Sequence, residues 1–243
     1  MTNLGTPLNN RLLASLKPET QQTLLPLFKE VTLDAGSIPG SPGSENRYAY
    51  FPTSCIISTV NREADGAMMA TAMIGREGMV GINFILGDIG TPLNALTQQS
   101  GIAYQLLATD LITSFHSHPD FQKVLLGYTV TLIEQISLNA LYNRHFRIDQ
   151  LLCRWILLSL DRLNTDTLAI THESISHLLG VRREGVTEAI SSLRLKGAIE
   201  SRRGQIKVLD KSLLKAMMEQ DPAGLETETV GSKKCRLYST VHR

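Results

Sequence analysis

Two adjacent arginines, Arg182 and Arg183, follow the dipeptide Gly180-Val181 and lead into Glu184, Thr187, Glu188 and Ser191. Val186, Ala189, Ile190 and Leu193 recur between these polar positions at helical spacing, which predicts an amphipathic helix from Arg182 to about Lys196. A guanidinium in the first turn of such a helix can form two parallel hydrogen bonds to guanine O6 and N7, and a carboxylate beside it can accept from cytosine N4. Arg183 and Glu184 stand where that chemistry needs them. Just upstream, Thr171 and His172 open a shorter helical pattern, and a helix N-terminus suits a phosphate. Downstream, Arg202-Arg203-Gly204-Gln205 separates two β-like runs, 199–201 and 206–209. A hairpin with two arginines at its tip suits the nucleic-acid backbone.

These residues need elements to hold them. Thr171 is a good N-cap, Glu173 complements the helix dipole, and Ile175, Leu178 and Leu179 form a buried stripe. Gly180 ends that helix as a left-handed glycine would, and Gly197 closes the next. Helix, tight glycine turn, helix, then hairpin is a winged helix-turn-helix, with the second helix projecting from its own core. Arg182 breaks a local rule, because it occupies a position where Ser, Thr, Asp or Asn would cap the helix. A cap given up for a charge is expected where a ligand, not stability, sets the residue.

Charge distribution agrees. The chain of 243 residues has a net charge of +1, yet residues 147–215 carry 12 Lys/Arg against 8 Asp/Glu, and residues 1–146 carry 8 against 11. A basic excess confined to one short segment points toward nucleic acid.

The N-terminal half has a different character. Two short helical patterns, 10–16 and 18–28, precede recurrent turn signals at 35–36, 39–43, 65–66, 75, 78, 81 and 87–90, with short apolar runs at 49–51, 56–60, 67–74 and 102–107 between them. Many short strands suggest a barrel or jelly roll. From Pro119 to His145 only Gly127 interrupts a helical stretch, about 40 Å long at the usual rise. Leu125, Leu132, Ile136 and Tyr142 lie around one side of it, and Leu126, Val130, Ile133 and Ala140 around another. Two apolar faces need two covers, the chain's own β domain and either more of that domain or the same helix of a second copy. The interface expected between copies comprises Leu125, Leu132, Ile136 and Asn139. The chain divides into an N-terminal β domain at 1–118, the long helix at 119–146, a winged helix-turn-helix domain at 147–215 and a loose tail at 216–243. The fold class is α+β.

Other functions find little support. Cys55, Cys153 and Cys235 are odd in number and far apart, without metal or disulfide spacing; Cys153 sits on an apolar helical face and reads as core. His116, His118 and His145 do not share a helical face, so no metal or haem is expected. No signal-peptide order opens the chain and no run approaches the ~18 uninterrupted apolar residues of a membrane span, so a cytoplasmic location without a membrane partner is expected. Paired carboxylates, nucleophile elbow, P-loop and dinucleotide fingerprints are missing, and catalysis is not expected. A rival reading, a small-molecule-sensing module that acts on a protein partner without binding DNA, leaves the basic wing and the Arg-led helix without a use.

The segment Ile170-Thr171-His172-Glu173, with Leu179-Gly180-Val181-Arg182-Arg183 and Val186-Thr187, resembles the helix-turn-helix of the Crp/Fnr transcription regulators. Gly75-Arg76-Glu77-Gly78-Met79-Val80-Gly81 resembles the family's β-roll. Asn143-Arg144-His145, Arg154-Trp155 and Asp161-Arg162 resemble its interdomain region. The resemblance implies that 1–118 is a cyclic-nucleotide-binding-like β-roll effector domain and 119–146 a dimerisation helix, with a homodimer, and double-stranded DNA and RNA polymerase as partners. It also exposes departures. Ile82 and Leu93-Asn94 stand where cyclic-nucleotide-binding members place a ribose-binding Glu and a phosphate-binding Arg-Ser pair. Leucine cannot neutralise a phosphate, so cyclic AMP is not the expected effector and no cofactor is assigned. No cysteines for an iron–sulfur cluster occupy the N-terminus. Glu188 stands where some members carry Arg, which predicts a different base preference there.

Overall fold

Asn10 organises the first helix, α1 (Arg11–Ala14): its Oδ1 accepts from the amides of Leu12 and Leu13, and its Nδ2 donates to the carbonyls of Pro52 and Gly78, 2.9 Å each. One buried amide side chain thus caps a helix and fastens it to the β domain. The computed structural model describes residues 6–39, 47–62, 68–87 and 94–219. The turn signals at 40–43, 65–66 and 88–90, together with Leu93, Cys235 and the tail beyond 219, lie outside the described residues.

Helix α2 (Pro18–Leu24) leads into strands β1 (Lys29–Leu33), β2 (Tyr48–Pro52), β3 (Ile56–Arg62), β4 (Met68–Ile74), β5 (Ala95–Gln99) and β6 (Gly101–Leu107). They pair antiparallel in the orders β1-β6-β2 and β4-β3-β5. Leu33, Tyr50, Ile57, Ile74, Val80 and Ala103 point inward and pack on one another between the sheets. Strands β1 and β5 are not among the expected runs. The others fall where expected, β2, β3 and β6 longer by one or two residues and β4 described from Met68.

Helices α3 (Ala108–Ser117) and α4 (Pro119–His145) follow, with Pro119 at the first position of a continuous 27-residue helix. The structure divides the faces of α4 differently from expectation. Leu125 is fully buried with Phe121 and Tyr128 in its own domain, and Leu132 packs half-buried on the same cluster. Asn139 Nδ2 donates to the Thr71 carbonyl at 2.7 Å, and Gln135 Nε2 to that of Met73 at 3.0 Å. Leu125 is therefore closed to a partner, and Leu132 and Asn139 lean on their own β domain, against the expectation that all three face a second copy. The exposed stripe is Leu126, Val130, Ile133 and Leu141, with Ile136 at its edge. Among the described residues α4 is the one helix long and apolar enough to cross a membrane by length and composition, and the contacts of its inner face are with its own protein.

Beyond Phe146 lie α5 (Ile148–Leu163), β7 (Thr167–Ala169), α6 (His172–Leu179), α7 (Arg183–Leu195), β8 (Ile199–Arg202), β9 (Gln205–Val208) and α8 (Lys211–Glu219). The strands form an antiparallel sheet in the order β7-β9-β8. The expected tail boundary at 216 is corrected: α8 runs through it, with Leu214 and Met217 buried in the core of α5 and Gln150 Nε2 donating to the Met218 carbonyl.

This second core is not separate from the first. Ile56 and Met73 of the β domain belong to the same apolar cluster as Leu152, Trp155, Ile175 and Val186. Polar contacts cross the same boundary, from Gln98 Nε2 to Ser159 Oγ (3.4 Å), from Gln99 Nε2 to the Ala169 carbonyl (3.2 Å) and from Arg76 Nη2 to the Asp161 carbonyl (3.3 Å). Arg162 Nε lies 2.7 Å from Glu77 Oε1 as a close ion pair. Glu77 sits in the glycine-rich turn, where Gly78 is required by sterics: a Cβ there would stand 2.6 Å from the ring of buried Tyr128, whose hydroxyl donates to the Met79 carbonyl. Cys55 and Cys153 are buried, and burial pushes both thiols up to about 12, so they stay protonated core residues.

Candidate nucleic-acid interface

Thr171 caps α6 as the sequence predicts, its Oγ1 accepting from the Ser174 amide at 3.1 Å. Ile175 and Leu178 bury one face of the helix. Gly180 then adopts φ +66°, a left-handed conformation that costs a side chain strain, and the Val181 amide donates to the Ser176 carbonyl at 3.0 Å. The turn leads directly into α7, which packs back on α6.

Helix α7 buries Val186, Ala189, Ile190 and Leu193 and exposes Arg183, Glu184, Thr187, Glu188 and Ser191. Burial of Val186, Ile190 and Leu193 contributes about 1.5–3 kcal/mol each, which anchors the inner face while the outer face stays bare. Arg182 is exposed and stands at the N-cap with no side-chain cap hydrogen bond. The arginines project away from both cores, as major-groove insertion demands. His172 Nδ1 lies 3.2 Å from Thr187 Oγ1, which ties the start of α6 to the second turn of α7. Thr171 and His172 are thereby brought beside the exposed face of α7, although each already has a partner inside the motif.

At the wing, β8 and β9 pair through Arg202–Gln205, and Arg203 and Gly204 occupy the exposed turn. Arg202 is not a free cation. Its Nη2 and Nε lie 2.8 and 2.9 Å from Glu200 Oε1. Residues two apart on a strand share a face, a signal the sequence carried and the expected site omitted. Exposed Lys207 on β9 and Arg194 and Lys196 at the end of α7 extend the basic surface. His116 is exposed, whereas His118 Nδ1 lies 3.2 Å from the Ser114 carbonyl. Among the described residues no group of three His, Cys, Asp or Glu side chains is arranged to hold a metal.

Residues 150–217 match the sequence pattern of the Crp-like helix-turn-helix domain. No curated protein matches the chain significantly by sequence. Among solved structures, a Crp/Fnr-family transcriptional regulator from Eubacterium rectale is similar with a TM-score of 0.65 and 16% identity, over 86% of this chain and 98% of that one. A CRP/FNR-family regulator from Thermus thermophilus gives 0.62 and 20%, over 79% and 100%. The c-di-GMP responsive global regulator CLP of Xanthomonas campestris gives 0.60 and 13%, over 80% and 100%. At such identities the likeness is one of fold, and it extends over most of the chain.

Proposed function

We propose that this chain, which carries a Crp-like helix-turn-helix domain on a Crp/Fnr fold, is a sequence-specific DNA-binding transcription regulator that reads palindromic operator DNA as a homodimer. The observation that carries the reading is the bare outer face of α7, with Arg183 and Glu184 in its first turn and Thr187, Glu188 and Ser191 behind them. Arg183 reads guanine and Glu184 cytosine, whereas Arg203 on the wing and the N-terminus of α6 grip phosphates. The rival module without DNA binding has no use for this surface.

The exposed stripe of α4 supports the homodimer. Leu126, Ile133 and Ala140 recur every seven residues, and Val130 and Ser137 interleave at the same period, all of them exposed. That is a two-position heptad seam, which packs against its own copy. Two recognition helices would then enter major grooves about 34 Å apart. Ile82 packs half-buried on the apolar cluster of its own domain, which supports an effector other than cyclic AMP. The reading places the protein with DNA in the cytoplasm, assigns it no catalytic step, and leaves RNA polymerase as the partner a promoter-bound dimer would meet.

The experiment selects operators from a random DNA pool with the full chain, then measures affinity across salt concentrations. A steep negative log–log slope is expected from phosphate engagement. Arg183→Ala should cost about 1–3 kcal/mol and relax one base position. No selected sequence, or binding indifferent to salt, overturns the reading.

A further inference from the structure

A small cavity of about 50 Å³ opens where the β domain, the C-terminal half of α4 and the helix-turn-helix domain meet. Its polar walls come from all three: Ser58 and Gln98, Gln135 and Asn139, and Arg154 and Trp155. Most of these groups are satisfied within the protein. Ser58 Oγ donates to Gln98 Oε1, Gln98 Nε2 to Ser159 Oγ, and Gln135 Nε2 to the Met73 carbonyl.

Two are not. Trp155 is 95% buried in an apolar cluster, yet among the described residues its indole N–H has no acceptor, and Asn139 Oδ1 has no donor although its Nδ2 is engaged. A buried donor or acceptor left unmatched costs about 1–3 kcal/mol, so a pair of them in one cavity points to a third participant. Arg154 adds charge. Its guanidinium lies 4.5 Å over the Tyr142 ring, and no carboxylate among the described residues is within ion-pair distance of it. No acidic residue lines the cavity; its remaining walls include Ala70, Ala72, Leu151 and Leu158. A donor, an acceptor and a cation without a carboxylate partner among the described residues, on a wall of mixed polar and apolar groups, define a complementary occupant with an anionic acceptor group at one end and a hydroxyl donor at the other.

We propose that this interdomain cavity is a binding site for a short hydroxycarboxylate, its carboxylate held by Arg154 and the Trp155 N–H and its hydroxyl donating to Asn139 Oδ1. Size limits the class. A water needs ~10–15 Å³ of such space, so the cavity holds roughly three or four waters or a two- to three-carbon acid, far less than the ~300 Å³ and more of a typical drug-sized site. The site does not depend on the DNA-binding reading. It does, however, touch every part of the molecule that a regulator would have to move, since α4, β3, β4, α5 and α6 all contribute walls.

Trp155 is the single tryptophan of the chain and so reports on its own site. The experiment titrates the full-length protein with glycolate and lactate and follows indole emission, with calorimetry in parallel. Acetate, ethylene glycol and sodium chloride serve as probes that lack the hydroxyl, the carboxylate or both. Saturable emission changes with glycolate or lactate, at least tenfold weaker for acetate and for ethylene glycol, are the expected result. Arg154→Met should weaken glycolate binding at least tenfold while circular dichroism stays unchanged. If that variant misfolds, the wild-type probe series decides. No saturable response to either acid up to 100 mM would mean that water alone fills the cavity, which overturns the proposal, as would equal responses to glycolate and ethylene glycol.

Discussion

The ion pair between Arg162 and Glu77 joins the glycine-rich turn of the β domain to the end of α5, and the variant Glu77→Gln isolates what it contributes. The Arg162 side chain is 5% exposed and that of Glu77 23%. Removing one partner of a fully buried pair costs about 3–5 kcal/mol, because a desolvated charge is left uncompensated. Two features lower that figure here. Water reaches part of Glu77, and Arg162 Nη1 keeps its hydrogen bond to the Leu158 carbonyl at 3.2 Å. A loss of about 2 kcal/mol is therefore expected, and for a chain of this size that lowers Tm by about 4–8 °C. A double-mutant cycle with Arg162→Met, read by urea unfolding, separates the pair from each residue's other contacts. Arg162→Met removes the charge that Glu77 compensates, so adding Glu77→Gln to it should cost little more, with a coupling energy of about 1–2 kcal/mol. Coupling below about 0.5 kcal/mol would show that the two residues are merely adjacent and that apolar packing alone holds the boundary.

Three further variants test other parts of the argument. Gly78→Ala forces a Cβ against the immobile Tyr128 ring and should destabilise by about 1–3 kcal/mol in urea titration; unchanged stability would mean the turn can shift. Glu200→Gln releases Arg202 from its ion pair and removes a negative charge from the wing, so DNA affinity should rise and the log–log salt slope should steepen by about 0.9 in fluorescence anisotropy. A slope identical to wild type would keep Arg202 off the phosphates. Ile133→Glu, at an exposed position in the heptad stripe of α4, should shift sedimentation from dimer to monomer at micromolar concentration without unfolding the chain, and a persistent dimer would move the interface elsewhere.

The elements legible from sequence are those whose stability is local. The absence of Gly and Pro around Gly127 outlines α4, and the cap at Thr171 with the glycine at 180 outlines α6 and its turn. Strand β5 was hidden because Gln98 and Gln99, polar by type, are buried and bonded to the second domain, so its inward face does not look apolar. Helix α8 was hidden because its amphipathic face, Leu214 and Met217, is short and needs α5 to cover it. Periodicity showed that α4 has two apolar sides but not which neighbour takes which. The hydrogen bonds of Gln135 and Asn139 to β4 carbonyls and of Tyr128 to the Met79 carbonyl orient the helix, with Leu125 packed inward beside Phe121. At the DNA-facing surface the exposed residues were legible from the complementary buried stripe. The Glu200–Arg202 pair is hard to see in the sequence, because a strand's face shows through its apolar residues and these two are both charged.

Helix α7 begins without a side-chain cap, since Arg182 offers none. Its opening amides are left for solvent in the free protein, and the first turn should fray and reform on its own. An operator that supplies backbone oxygens to those amides would finish the helix as well as contact it. Part of the affinity for the right sequence is then the completion of a fold, and slowed amide exchange at residues 183–185 in the complex would be its trace.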